Sequence, residues 1–257
     1  MTSSQPMRRH GVARTLSKLG LASRTAATAW VLDGRVAVNG RVVRDPEFPV
    51  LQGRDQVAVD GRPAGTAERL YLALHKPRGL VTTTADEQGR DTVYRCFDGA
   101  GLPWLAPVGR LDKASEGLLL FSNDPEWAAR ITDPATGPDK TYHVQVDAVP
   151  PPALLARLVA GVDVAAGRLA AKSATLLRTG SRNAWLGIVL DEGRNRHIRR
   201  LLEGVGVGVL RLIRVAIGGL ELGELPRGQW RRLDANDLAK LGAPPARPGR
   251  SVLSKAP

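Results

Sequence analysis

The chain has 257 residues, and its 37 Lys and Arg outweigh 25 Asp and Glu for a formal net charge of +12. With a pI near 10.7, this points to a polyanionic partner. Nucleic acid fits better than a membrane surface, because no strongly basic amphipathic helix with an aromatic face occurs and no apolar run approaches a membrane span. The single cysteine, Cys96, excludes an internal disulfide and suits a reducing, cytoplasmic setting. His10, His75, His143 and His197 are too scattered to suggest a metal site. No Gly-Lys pair is present to build a Walker-type phosphate loop.

Residues 1–12 read as a disordered basic arm. No acidic residue precedes Asp33, a composition that also resembles a mitochondrial transit peptide. A basic arm leading into a binding module agrees better with the helix and hairpin signals downstream. From Thr15 the apolar positions Leu16, Leu19, Ala22, Ala26, Ala29 and Trp30 recur at three and four, predicting two helices broken near Gly20-Leu21. Ser23 is placed to cap the second. Asp33-Gly34 then turns into Val36-Ala37-Val38, and Asn39-Gly40 is a hairpin signal before Arg41-Val42-Val43. Val57-Ala58-Val59 adds a strand, and residues 61–66 read as a linker.

The second part opens on a strand over Arg69–Leu74 and a turn at Pro77-Arg78-Gly79. Residues 84–107 read as loop and short irregular elements. Leu118 to Phe121 is an apolar run short enough to be a strand buried on both faces. Asp112 therefore sits in a loop leading directly into the core. A carboxylate there is costly to desolvate, so it needs a charged partner, hydrogen bonds or a chemical role. A short helix over Glu126–Thr132, a strand over Lys140–Val146 and a proline-started helix over Pro150–Val159 come next. Strands are expected at Arg168–Leu177, Ala184–Leu190 and Leu210–Ile217. The basic run 191–202 reads as a helix on which Arg196 and Arg200 share a face while Arg199, 100° from Arg200, can point inward. Gly204 to Gly208 reads as a helix stop and turn rather than a dinucleotide loop. Residues 243–257, with four prolines, three basic residues and no acid, read as a disordered basic tail.

Several of these stretches, in order, resemble the pseudouridine synthases of ribosomal RNA. Gly109-Arg110-Leu111-Asp112 with Ser115 and Gly117-Leu118-Leu119-Leu120 is similar to that family's active-site motif. The match implies that Asp112 is the nucleophile. His75-Lys76-Pro77-Arg78-Gly79-Leu80-Val81-Thr82-Thr83 is similar to its first motif, and Lys140-Thr141-Tyr142-His143-Val144-Gln145-Val146 to the strand whose Tyr lies against the target base. Glu192-Gly193-Arg194-Asn195-Arg196-His197-Ile198-Arg199-Arg200 is similar to the third, where Arg199 matches a basic residue paired with the catalytic Asp and His197 replaces a usual Gln. Leu212-Ile213-Arg214-Val215-Ala216-Ile217-Gly218 continues the likeness.

The segment from Leu16 to Arg24 with 34–40 resembles the small RNA-binding module shared by a small-subunit ribosomal protein and bacterial tyrosyl-tRNA synthetase. The resemblance implies an α+β protein: a small N-terminal RNA-binding module (13–64) followed by a pseudouridine-synthase-like catalytic domain (68–242) with a mixed, mainly antiparallel sheet. It implies conversion of one uridine of ribosomal RNA, leaning to the large subunit, to pseudouridine by Asp112, Tyr142 and Arg199, with no cofactor and no metal. The expected RNA contacts are Lys18, Arg24, Arg35, Arg41, Lys76, Arg78, Arg110, Lys140, Arg194, Arg196 and Arg200. A monomer is expected. The alternative is a ribosome assembly factor that binds rRNA without chemistry, against which the intact Asp112, Tyr142 and Arg199 argue.

Overall fold

A computed structural model describes residues 9–51, 53–65, 67–84, 86, 88–165 and 167–242. The basic tail expected over 243–257, and residues 1–8 of the expected arm, lie outside these. The chain begins with β1 (Arg9–Gly11), α1 (Val12–Lys18) and α2 (Arg24–Leu32). β2 (Val36–Val38), β3 (Arg41–Val42), β4 (Pro49–Leu51), β5 (Val57–Val59) and β6 (Arg62–Pro63) follow. Then come β7 (Tyr71–Lys76), a 3-10 turn over Val93–Phe97, β8 (Ala106–Val108), β9 (Glu116–Ser122), α3 (Pro125–Thr132), β10 (Lys140–Val146) and α4 (Pro152–Ala160). The last elements are β11 (Val162–Val164), β12 (Gly167–Leu169), β13 (Ser173–Thr179), β14 (Ala184–Leu190), α5 (His197–Glu203), β15 (Val209–Ile217), β16 (Leu220–Glu221), β17 (Trp230–Arg232) and α6 (Ala235–Lys240). No helix among the described residues is long and apolar enough to cross a membrane.

The chain divides into two compact units, one of Met1–Lys113, Leu119–Pro125 and Leu225–Arg232, the other of Ala114–Leu118, Glu126–Glu224 and Leu233–Pro257. In the first, α1 and α2 pack with the short strands around a core that includes Val12, Leu16, Ala27, Val31, Val36 and Val38. Ser23 accepts a hydrogen bond from Ala26 N and caps α2. Asn39 and Gly40 both take positive φ (51° and 77°) and turn β2 into antiparallel β3, the backbone that an Asn-Gly pair permits. Two stretches are more ordered than their sequence suggests. Arg9–Gly11 pairs with Pro49–Leu51 and Val12 starts α1, although both fall in the expected arm. Arg62–Pro63, in the expected linker, pairs with Ala58 and Val59. Neither segment has apolar periodicity to announce it; each is held by backbone pairing to a neighbouring strand. Farther along, β7 pairs with β17 and lies beside β9, whose end pairs with β8.

In the second unit, β13, β14, β10 and β15 are antiparallel neighbours, and β15 also pairs in parallel with the start of β9, so the sheet is mixed. α4 and α5 cover one face: Leu158, Ile198, Leu201 and Leu202 pack on Val144, Val146, Leu186 and Ile188. The strand expected over Arg168–Leu177 is instead two, β12 and β13, separated at Ala170–Lys172. Every residue of β9 is buried, as its apolar run predicts. Gly117 lies within it at φ 111°, and a Cβ there would come 2.3 Å from the Arg214 carbonyl oxygen. Only glycine fits between these backbones.

Candidate active site

In the first unit, the loop holding Asp112 is gripped by the turn that follows β7. Thr82 Oγ1 donates to Leu111 O at 2.8 Å, Lys76 Nζ to Asp112 O at 3.1 Å, and Gly79 N to Lys113 O at 2.8 Å. Three consecutive carbonyls are thus tied to a turn stiffened by Pro77, while Leu111 is buried behind them. Asp112 itself is half-buried and Arg110 exposed. Lys76 was expected on the surface beside RNA, but its side chain is 0% exposed and also donates to Pro77 O. It supports the Asp112 loop from inside. β7 is buried on both faces, so its terminal Lys is carried inward with the rest. Arg78, two residues on, is exposed.

In the second unit, Arg199 is half-buried on α5. Its Nη2 donates to Ala114 O at 3.3 Å and its Nη1 to Val209 O at 3.4 Å. It lines a cavity of about 350 Å³ with Arg196, Glu203 and Gly206–Val209. The helix starts only at His197, which corrects the expectation that Arg196 and Arg200 share a helical face. Arg196 sits outside it in the left-handed region (φ 50°), contributing its carbonyl to Arg200 N while its side chain is exposed. Non-glycine residues occupy that region at a cost. Arg200 is half-buried and bonds Asn195 O, and exposed Arg194 pairs with Glu192 at 2.9 Å. His197, where the resembled motif has Gln, faces inward: it is 3% exposed and its Nε2 lies 3.0 Å from Ala170 O. Burial pushes its pKa down, outweighing the nearby Glu192 carboxylate.

Tyr142 is half-buried on β10, opposite Ile188 on one side and Arg214 on the other. Arg214 is 5% exposed; its Nε donates to Leu118 O at 2.7 Å, and its Nη2 has no hydrogen-bond partner among the described residues. Burial, and then the Arg214 charge, holds the half-buried Lys140 ammonium below its usual pKa. Tyr142 packs against the apolar core of this unit, with buried Arg214 opposite it on β15 and Lys140 two residues before it on β10. Glu116, buried just before the apolar run of β9, is neutralised by Arg211, whose Nε and Nη2 donate to it at 3.0 and 2.8 Å. The sequence reading missed Arg211, Glu116 and the inward roles of Lys76 and Thr82. The available signal was a Glu directly before a wholly apolar run, which demands a partner.

The expected contacts of the small module are mostly at the surface. Arg24, Arg35 and Arg41 are exposed, and Lys18 is half-buried with Nζ 3.4 Å from His10 Nε2. Arg35 is already engaged, bidentate with Asp60 and 5.2 Å over the Trp30 ring.

Residues 70–204 match the family described as RNA pseudouridylate synthase, and residues 12–57 match the S4 domain. The chain is 35% identical over 233 residues to ribosomal large subunit pseudouridine synthase B of Bacillus subtilis (strain 168), covering 90% of this chain and 94% of that protein. It is 37% identical over 228 residues to an uncharacterised RNA pseudouridine synthase of Aquifex aeolicus (strain VF5), covering 88% and 91%. Among solved structures, one described as a pseudouridylate synthase superposes with a TM-score of 0.63 at 28% identity, over 90% of this chain and 99% of that one.

Proposed function

This chain belongs to the RNA pseudouridylate synthase family, and from that premise we propose that it isomerises one uridine of large-subunit ribosomal RNA to pseudouridine, with Asp112 as nucleophile. The observation that carries the assignment to Asp112 is the grip on carbonyls 111–113, which fixes a half-buried carboxylate in a loop that a surface Asp does not need. The relatives named for the large subunit support the substrate.

The reaction breaks the N1–C1′ glycosidic bond, turns the freed uracil and joins its C5 to C1′. N1 gains a proton and C5 loses one, so no electrons enter or leave and the chain needs no redox partner. Asp112 attacks through a carboxylate oxygen, at the sugar C1′ or the uracil C6, and is released when the new bond forms. Arg199 matches the basic residue that the family's motif pairs with the catalytic Asp, and we assign it that partner role here. Tyr142 supplies a ring against the extruded uracil, and the Lys140 and Arg214 charges beside it favour the carbonyl oxygens of the base. Residues 13–64 form the module that grips RNA backbone through Lys18, Arg24, Arg35 and Arg41, and residues 68–242 the catalytic domain. Arg78, Arg110, Arg194, Arg196 and Arg200 add contacts. We place the protein in the cytoplasm as a monomer, a setting that its lone cysteine suits.

The test is a map of pseudouridines in total RNA from cells with and without the protein. Loss of a single large-subunit site is expected; an unchanged map contradicts the proposal.

A further inference from the structure

One face of the second unit's sheet lies under α4 and α5; the other carries a row of side chains to which the mechanism proposed above gives no role. Arg178 on β13 stands opposite Trp185 on β14, Trp185 opposite Gln145 on β10, and Gln145 opposite Arg211 on β15. Side chains alternate along a strand, so Trp185 and Gln145 point away from the buried Ala184, Leu186, Val144 and Val146. A register shift between Leu176 and Arg178 turns Arg178 over the indole. Its guanidinium carbon is 4.9 Å from the ring centre, and that of Arg211, arriving from the other side of β14, is 5.6 Å away.

The two arginines are held differently. Arg211 is fixed by Glu116, whose side chain is only 5% exposed, so this buried acid is already neutralised. Arg178 is exposed and forms no ion pair among the described residues. The row therefore keeps a net positive charge beside a half-buried aromatic ring. His143 lies on the same face, its pKa lowered by burial first and by the Arg178 charge second. A purely structural prop needs no exposed guanidinium over the ring. An aromatic with flanking arginines is the arrangement that receives unpaired bases and their phosphates.

We propose that this row binds a short unpaired stretch of the RNA substrate flanking the target uridine. A base stacks at Trp185 and Arg178, and phosphates sit at Arg178 and Arg211. Four adjacent strands span about 14 Å, room for a few nucleotides. The inference rests on the RNA-modifying function proposed above.

The test uses the full chain and an rRNA fragment containing the mapped uridine, either with its single-stranded flanks or trimmed stepwise to the target stem-loop. Affinity is read by anisotropy of the labelled RNA over a range of salt. Trp185→Leu and Arg178→Ala should each bind the flanked RNA about tenfold more weakly than the wild type. Both should match the wild type on the trimmed RNA, and Arg178→Ala should flatten the salt slope by about 0.7 on the flanked RNA alone. Arg178 is exposed, so its variant stays informative if Trp185→Leu misfolds. Unchanged affinity for flanked RNA overturns the proposal, and so does an equal loss on flanked and trimmed RNA, which marks a merely structural row. Failure of the wild type to make pseudouridine in either RNA refutes the underlying function instead. Turnover with no flank-dependent loss refutes only this site.

Discussion

Lys76→Met separates two roles that a lysine in a Lys-Pro-Arg-Gly turn can have. If Lys76 contacts RNA, losing it weakens binding and lowers the salt slope by about one. The structure assigns the other role: a wholly buried ammonium donating at 3.1 Å to both Pro77 O and Asp112 O. Hydrogen bonds from a charged donor contribute about 1.5–3 kcal/mol each, so removing two forfeits about 3–6 kcal/mol. Burying the ammonium costs several kcal/mol, which methionine does not incur. The net loss of global stability should therefore be about 1–3 kcal/mol. The local effect is larger in rate. With the Asp112 carbonyl released, a displacement of the order of 1 Å lowers turnover about a hundredfold. Thermal unfolding, RNA affinity and single-turnover isomerisation are measured on the same preparation. A folded variant with near wild-type affinity and a rate down at least tenfold is expected. Weakened, salt-flattened binding with an unaltered rate would refute the reasoning.

Three further outcomes are expected from the same geometry. His197 is buried with a lowered pKa, so the unfolded chain binds more protons below about pH 6.5. Stability should fall as pH drops through that window, and His197→Gln should flatten the fall in denaturant midpoints measured from pH 7.5 to 5; an identical slope contradicts this. Gly117→Ala places a methyl against the Arg214 backbone at positive φ, so it should cost more than about 3 kcal/mol and give little folded protein; a stability within about 1 kcal/mol of wild type would show that β9 and β15 can move apart at little cost. Tyr142→Phe should bind the rRNA fragment nearly as well as wild type while Tyr142→Leu loses about 1–3 kcal/mol, read by equilibrium titration; equal affinities would remove the stacking role.

The elements were most legible where local chemistry decides them. Ser23 announced a cap, Asn39-Gly40 a hairpin and Leu118–Phe121 a strand buried on both faces, because caps, turns and apolar runs depend on near neighbours. Less visible was anything set by distant pairing. Glu116 and Arg211 are joined across 95 positions, and the grip of Thr82 on Leu111 crosses 29. Arg196 misled because a basic run continues smoothly into α5, while the backbone enters the left-handed region just before the helix. Lys76 misled because a Lys before a proline turn looks solvated. The signal that Lys76 is drawn in lies in the unalternating Tyr71–Leu74 run, which has the pattern of a strand enclosed on both sides.

The most direct test of the nucleophile is single-turnover isomerisation of the mapped rRNA fragment by Asp112→Asn. The amide is nearly isosteric but cannot attack as a carboxylate does. A variant that unfolds at the wild-type temperature, binds the fragment with wild-type affinity and forms no pseudouridine is the predicted result. Wild-type rates from folded Asp112→Asn would contradict the assignment of the chemistry to this residue.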